Sequence, residues 1–426
     1  MGEHLTEIRN TLKSAVADGV DFLERQPRDW KVTAIRSSTF RLFYQMLLPY
    51  LSIYVLLLGA TGTQLGIVNS VGMVVAGALA PYTGWLMDRI GVKSIYLVGI
   101  ALLAFSWLVY AIAPNWTFII VAMLAYWVGF RTSMHGCNVI CANSLATQDR
   151  VTAMSSCETL ASGLLGVAGP MIGALVVSSF GGVSISGIRP LFYISLAGMV
   201  FTFILVLTRI SNRRWGFTGE SRTNFLSDLI QLMQRGRYLK RFIIISVITF
   251  LPYGMIIPFT QPFAHEVKGA NEFILGAMVT GFALTPLLLG LPLGRLADRI
   301  GRKKVIYIIT PFFWASNLML IWAPNTFFLI FAGILQGFFF VIGVVTGAMQ
   351  FEMVPSEHMG KWIGILGFFR MFVAAIMAYL AGVIWDTLGP QYVFLIFIGL
   401  DIMIRLPLFI TLPETLGKNI TTGQFI

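Results

Sequence analysis

The chain is a succession of apolar runs, each close to twenty residues long and separated by short polar connections. A helix needs roughly 20 apolar residues to cross the hydrocarbon core of a bilayer. About twelve such runs can be placed, near 36–58, 65–86, 94–113, 117–143, 152–180, 188–208, 242–263, 273–293, 304–323, 326–350, 361–386 and 391–412. Only 12% of the 426 residues are charged, about half the share usual in soluble domains. The expected fold class is therefore an all-α membrane protein with twelve transmembrane helices. Every backbone polar group of such a span is satisfied within its own helix, which is why helices are the form it takes.

The net charge of +11 would suit nucleic acid, but its placement points elsewhere. The basic residues fall in alternate connections: Arg9 to Arg36, Arg89 and Lys93, Arg150, Arg209 to Arg241, Arg295 to Lys304, Lys361, and Lys418. The intervening connections hold only Arg189 and Lys268. Lys- and Arg-rich loops stay cytoplasmic, so both termini and the central connection are expected inside, with no nucleic-acid partner. Residues 1–34 lack the short apolar core and small-residue cleavage site of a signal peptide. With Leu5, Ile8, Leu12 and Val16 at helical spacing, they read as a cytoplasmic amphipathic segment, suited to the membrane surface.

The phrase "GWLMDRIGVKS" at Gly84 to Ser94 returns as "GRLADRIGRKK" at Gly294 to Lys304, 210 residues later, with seven of eleven positions identical. The echo is longer than the phrase. Leu65-Gly66 recurs as Leu275-Gly276, and "APN" at Ala113 to Asn115 as "APN" at Ala323 to Asn325. Pro49 is matched by Pro258, one residue out of step. Between the copies, Arg209 to Arg241 carries eight basic residues against Glu220 and Asp228. The expected domains are a six-helix bundle over 35–210, a basic cytoplasmic linker over 211–240, a second bundle over 241–412 and a cytoplasmic tail over 413–426. Two parallel repeats of six helices form one large layout of secondary transporters.

On these residues the chain resembles the major facilitator superfamily over about 35–415. The doubled phrase is similar to the family's signature loop after the second and eighth helices. Gly84 and Gly294 are expected to let helix ends approach closely, and Gly91 and Gly301 to permit the tight turn. Asp88 and Asp298, with Arg89, Arg299 and Arg302 beside them, can form ion pairs or cap a helix N-terminus. The resemblance implies that the acid latches the two halves in the outward-open state; the alternative is a loop that only fixes topology. "GLLGVAGPMIGAL" in the fifth helix, with Gly169, Pro170 and Gly173, partly resembles the glycine–proline motif of family antiporters, which implies exchange. Close packing alone is the other reading. "LPETLGK" from Pro413 to Lys418 resembles endings found in sugar porters and drug exporters alike.

Ionisable groups at membrane depth are functional candidates by default. Arg41, Glu158 and Arg370 lie about six to nine residues inside helices one, five and eleven, roughly 9–14 Å from the cytoplasmic ends at 1.5 Å per residue. Arg131 sits near the middle of helix four, with His135 and Asn138 near the same face. The family's helix-four arginine aligns with Met123, so Arg131 does not inherit that role. An internal Arg41–Glu158 salt bridge is one account of these groups. A path for substrate and protons is the other, with Tyr253, Gln261 and Gln336 adding neutral contacts. Asp401 and Arg405, four apart on helix twelve, read as a self-satisfied pair, and Glu352 as structural.

Three arginines against one glutamate suit an anionic or zwitterionic substrate, since guanidinium binds carboxylate or phosphate in bidentate geometry. Glu158 and His135 are the available proton carriers. Cys137, Cys141 and Cys157 with His135 include soft-metal ligands, but cysteine also serves as a small apolar residue, and no metal or cofactor is assigned. Phosphate-cradling, metalloprotease and serine-elbow patterns are absent from the sequence, so no enzyme activity is expected. The expectation is a monomeric, proton-coupled transporter of a small organic solute in the plasma or inner membrane, with export by exchange preferred. The alternatives are an organic-anion or sugar-type symporter and, from another class, a transporter-like sensor or lipid-interacting scaffold.

Overall fold

The structure is a computed structural model that describes residues 24–144, 165–211, 237–353, 359–412 and 414–415. Twelve helical spans follow one another within them. α1 comprises Arg28–Leu47 and Leu51–Leu57, two pieces bent by 45°. α2 is Gly62–Ile90, α3 Val92–Ile112 and α4 Trp116–Ser144. The described part of α5 is Leu165–Ser179, and α6 is Ile185–Arg209. α7 is broken into Arg237–Ile248, Leu251–Met255, Ile257–Pro262 and a π-helical turn, Phe263–Val267. α8 is Glu272–Ile300, α9 Arg302–Trp322, and α10 the pair Thr326–Gln336 and Phe338–Met353. α11 is Met359–Thr387. α12 runs through Pro390–Leu400, a π-helical turn Asp401–Arg405, and Leu406–Ile410. Large apolar side chains such as Phe201, Leu288 and Phe327 are more than half exposed. A multi-pass membrane protein turns such a surface toward lipid.

The sequence echoes mark equivalent structural devices in the two halves. Asn115 accepts the Thr117 N–H at 3.2 Å, and Asn325 accepts those of Phe327 and Phe328 at 3.1 and 3.4 Å. The "APN" repeat is thus an N-cap opening the fourth helix of each half. Pro49 lies in the bend of α1, and Pro258 opens the third piece of α7. Each lacks the N–H that would continue its helix, so both central helices break at equivalent depth. Gly66 of α2 packs on the α11 backbone at Ala378, and Gly276 of α8 packs on that of α5 at Pro170. The repeated Leu-Gly therefore supplies the close approach at the two crossings, α2 on α11 and α5 on α8, that join the halves.

The doubled phrase forms the turns α2–α3 and α8–α9. Gly91 and Gly301 have φ of +97° and +111°, a region that L side chains rarely adopt. The shared lysine has a matching partner in both copies. Lys93 Nζ donates to the Ile210 carbonyl at 2.7 Å, and Lys303 Nζ to the Leu412 carbonyl at 2.5 Å. Each thus caps the C-terminus of the sixth helix of its half, where a cation is favoured. The two exceptional cations, Arg189 and Lys268, do the same at the other end. Arg189 donates to the Ala113 carbonyl at 2.8 Å and Lys268 to that of Ala323 at 3.5 Å, closing α3 and α9. The end carrying the doubled phrase is called the motif end below, and the opposite one the far end.

Three differences from the sequence expectations have clear causes. α1 begins at Arg28, not 36, because Trp30 and Val32 are buried with Tyr96 and Val206, and Asp29 accepts from Ser211 at the end of α6. Arg36, counted among the loop charges, is fully buried, its guanidinium 5.1 and 5.3 Å from the Phe40 and Tyr96 ring centroids. Such stacking favours a cation over an aromatic face. Gly294 makes no close approach: a Cβ there would meet nothing within 4 Å. The motif-end half of α8 is not packed against a neighbour at this point.

Candidate functional site

A central cavity lies between the halves. Its walls come from α1, α2, α3, α4, α7, α8 and α10, and it is strongly aromatic: Tyr44, Trp107, Tyr110, Tyr126, Trp127 and Tyr253 all line it. The rings touch in sequence. Tyr44 stacks on Tyr126 with centroids 5.9 Å apart, Tyr126 meets Trp127 edge-on at 5.7 Å, and Trp127 meets Tyr253 edge-on at 6.2 Å. That last contact crosses from one half to the other. Edge and offset geometries at these separations are the favoured ones for aromatic pairs. The cavity closes at the far end with neutral polar groups: Asn69, Thr260, Gln261 and Gln336. Gln336 donates to the Thr260 hydroxyl at 2.8 Å. Gln261 is buried and its Oε1 has no donor.

The cross-half hydrogen bonds among the described residues lie in the far half of the molecule. Asp386 of α11 accepts the Gly62 and Thr63 N–H groups of α2 at 2.8 and 2.7 Å. Tyr50 donates to the Glu272 carbonyl at 3.1 Å, Ser70 to that of Ala375 at 2.6 Å, and Thr280 to that of Val167 at 3.0 Å. Toward the motif end, Gly290 and Gly294 of α8 and Gly364 and Gly367 of α11 face open space. Among the described residues the hydrogen bonds that join the halves are thus confined to the far half, while packing of α2 on α11 continues to Gly77 beside Met371 and Phe368.

Arg41, Arg131 and Arg370 lie on the motif side of the aromatic layer, and none of them lines the cavity itself. Arg41 precedes Tyr44 by three residues in α1, and Arg131 follows Trp127 by four in α4, which runs the other way. Both lie about one helical turn toward the motif end from those rings. The Arg370 guanidinium lies 5.9 Å from the centroid of Phe250, whose ring stacks on Tyr253 at 4.7 Å. Each of the three has a buried Nε without a hydrogen-bond partner, and none makes an ion pair among the described residues. Ion pairs among the described residues include Asp401–Arg405 and Asp298–Arg302. The expected Arg41–Glu158 pair cannot be placed, because Glu158 lies outside the described residues, as do the side chains of His135, Asn138 and Glu352. No group of three or more potential metal ligands occurs among the described residues.

The glycine–proline motif joins α5 to α1. A Cβ on Gly169 would come within 2.9 Å of the Leu42 carbonyl, and one on Gly173 would collide with the Met46 carbonyl. Pro170 has no N–H for the Gly166 carbonyl, and Gln45 donates to it at 3.3 Å instead. The freed acceptor thus becomes an interhelical hydrogen bond. At the motif end, Asp298 pairs with Arg302 across the α8–α9 turn, and Arg299 is exposed. The N-terminus of α9 is capped by Glu414, whose carboxylate accepts from Arg302 and Lys303 N–H at 2.9 and 3.1 Å. Gly84, Asp88 and Arg89 lie in the last turns of α2, and their side-chain surroundings are outside the described residues. Sequence reasoning missed Glu414 as a cap, Asp386, and the aromatic layer apart from Tyr253. An acid just past the end of a span was the available signal for the first.

Comparison with known proteins agrees with this architecture. A family model described as Major Facilitator Superfamily matches residues 37–270 and 242–423. Multidrug resistance protein MdtG of Escherichia coli is 26% identical over 319 residues, covering 72% of this chain and 73% of that protein. The fold is shared with the nucleoside transporter NupG (TM-score 0.76, 16% identity, 90% of this chain and 100% of that one). It is also shared with a D-xylose-proton symporter (0.68, 14%, 91% and 99%) and the human organic anion transporter MFSD10 (0.61, 17%, 90% and 99%).

Proposed function

The chain belongs to the major facilitator superfamily, whose members are transporters rather than enzymes, and from that premise we propose that it exports a small organic anion by alternating access in exchange for protons. The observation that carries this reading is that Arg41 and Arg131, about one helical turn from the lining residues Tyr44 and Trp127, and Arg370 each hold a buried Nε without a partner, with no carboxylate paired to them among the described residues. A charge held at membrane depth without a partner is costly, and a bound anion supplies the missing one. Guanidinium suits a carboxylate or phosphate because it offers paired donors in a fixed plane.

Export is supported by the relative named for multidrug resistance. With the basic motif end read as cytoplasmic, the proposed orientation puts both termini inside. Loading then occurs from the cytoplasm, and the far-end contacts between the halves must open for release. Glu158 and His135 are the proposed proton carriers, and the inner or plasma membrane the site of action. One chain holds a complete cavity, so the monomer is the proposed working unit.

The test is flux of radiolabelled organic acids across proteoliposomes carrying the purified protein under an imposed pH gradient, with organic cations as controls. Removing one charged hydrogen-bond partner costs about 1.5–3 kcal/mol, so Arg131→Ala is expected to lower anion flux roughly ten- to a hundredfold. Flux of cations but not anions, or anion flux untouched by Arg131→Ala, overturns the anion reading.

A further inference from the structure

The cavity is ordered along its axis, and the order specifies more than charge. About one helical turn beyond the lining, toward the motif end, stand the guanidinium groups of Arg41 and Arg131, which are not themselves lining residues. Next comes the aromatic layer of Tyr44, Tyr126, Trp127 and Tyr253, and at the far end lies the amide layer of Gln261 and Gln336. Gln261 follows Tyr253 by eight residues along α7, about 12 Å at 1.5 Å per residue. Side chains reach inward from both ends, so one ring with a short chain fills that interval.

We infer that the site takes a flat aromatic acid carrying a hydroxyl at the end opposite its acid group. This rests on the transport reading above and narrows it. The acid pairs with the arginines. The ring slides among the aromatic side chains, whose edge-to-face contacts leave ring faces and edges free for a further aromatic partner. The hydroxyl reaches Gln261, which is nine-tenths buried and whose Oε1 lacks a donor. Gln336 already has one partner, its Nε2 donating to Thr260, so Gln261 holds the unpaired acceptor of the pair. A hydroxyl both donates and accepts, so it satisfies the Gln261 amide in either orientation.

Selectivity follows from the cost of leaving that amide unmet. A site built to hydrogen-bond a hydroxyl discriminates against an analogue without it, because the buried polar group is then unpaired. Aliphatic acids of the same length keep the charge but lose the ring contacts.

The experiment measures affinities of the full-length protein in nanodiscs for four probes: 4-hydroxycinnamate, cinnamate, 3-cyclohexylpropionate and 4-hydroxycinnamyl alcohol. Affinity is expected to fall about tenfold from the first to the second, further to the third, and to background for the uncharged alcohol. In Gln261→Met the ratio between 4-hydroxycinnamate and cinnamate is expected to collapse toward one. In Tyr253→Leu the ratio between cinnamate and 3-cyclohexylpropionate is expected to do so. Binding of all three acids with equal affinity, or ratios unmoved by these two substitutions, overturns this inference and leaves the organic-anion reading standing. Tight binding of the alcohol with none of the acids overturns both.

Discussion

Asp386 holds the far end shut, and its removal should tilt the conformational equilibrium by a measurable amount. Its two carboxylate oxygens accept the Gly62 and Thr63 N–H groups at 2.8 and 2.7 Å. These are orphan donors in the first turn of α2, and the acid comes from the last turn of α11 in the opposite half. Losing an N-cap of this kind costs about 1 kcal/mol in typical cases. The side chain is exposed, so solvent replaces part of the lost interaction and the larger values do not apply. The bonds exist only while the far end is closed, so the whole cost falls on that state. At about 1.4 kcal/mol per factor of ten, the ratio of far-open to far-closed molecules should rise roughly fivefold. Spin labels at Leu57→Cys on α1 and Leu388→Cys just past the end of α11, in a background without the native cysteines, report this by electron–electron distance measurement. Asp386→Ala should enlarge the long-distance population by about that factor, and Asp386→Asn by less, since it keeps one acceptor. An unchanged distance distribution in Asp386→Ala would refute the cap as a closure element.

Three further outcomes are expected. Lys93→Ala and Lys303→Ala each remove a C-terminal cap from the sixth helix of one half; each should cost about 0.5–1 kcal/mol, and the two should add, as read from thermal melting in detergent. Within α12, Arg405 binds Asp401 and donates to Thr310, while Trp314 donates to Asp401 at 2.6 Å. Breaking this buried pair with Arg405→Ala should destabilise by about 3–5 kcal/mol, and Asp401→Leu with Arg405→Met should recover most of that in the same melt. Gly173→Leu forces a side chain into the Met46 backbone, and should abolish the monodisperse peak in size-exclusion chromatography, whereas Ala174→Gly should retain it.

The repeated elements were legible because equal structural tasks demanded equal residues. The glycine turns, the "APN" caps, the Leu-Gly crossings and the broken central helices each need a particular backbone property. Such needs survive in single letters. The three arginines were legible because charge stands out against an apolar background. The aromatic layer was not, since Tyr44, Tyr126 and Trp127 look like any filler of a span until the helices are brought together. Lys93 looked like a loop charge, and Asp386 at the end of a span drew no reading, because their partners are backbone atoms far away in sequence. Gly294 was misjudged for the opposite reason: a helical glycine reads as close packing whether or not a neighbour arrives. Arg36 was assigned to a loop because nothing in the local sequence announces the Tyr96 ring that covers it.

Alternating access itself is tested most directly by labelling one cysteine from both sides of the membrane. Ser52 lines the cavity toward its far end, and Ser52→Cys in a background without the native cysteines reports which side that end faces. In inside-out and right-side-out vesicles, a membrane-impermeant maleimide should react from the motif side without ligand. Reaction from the far side should grow as the motif-side rate falls, when an organic acid and an opposing pH gradient are supplied. Reaction from one side only, at a rate indifferent to ligand and gradient, would contradict a cavity that opens to each side in turn.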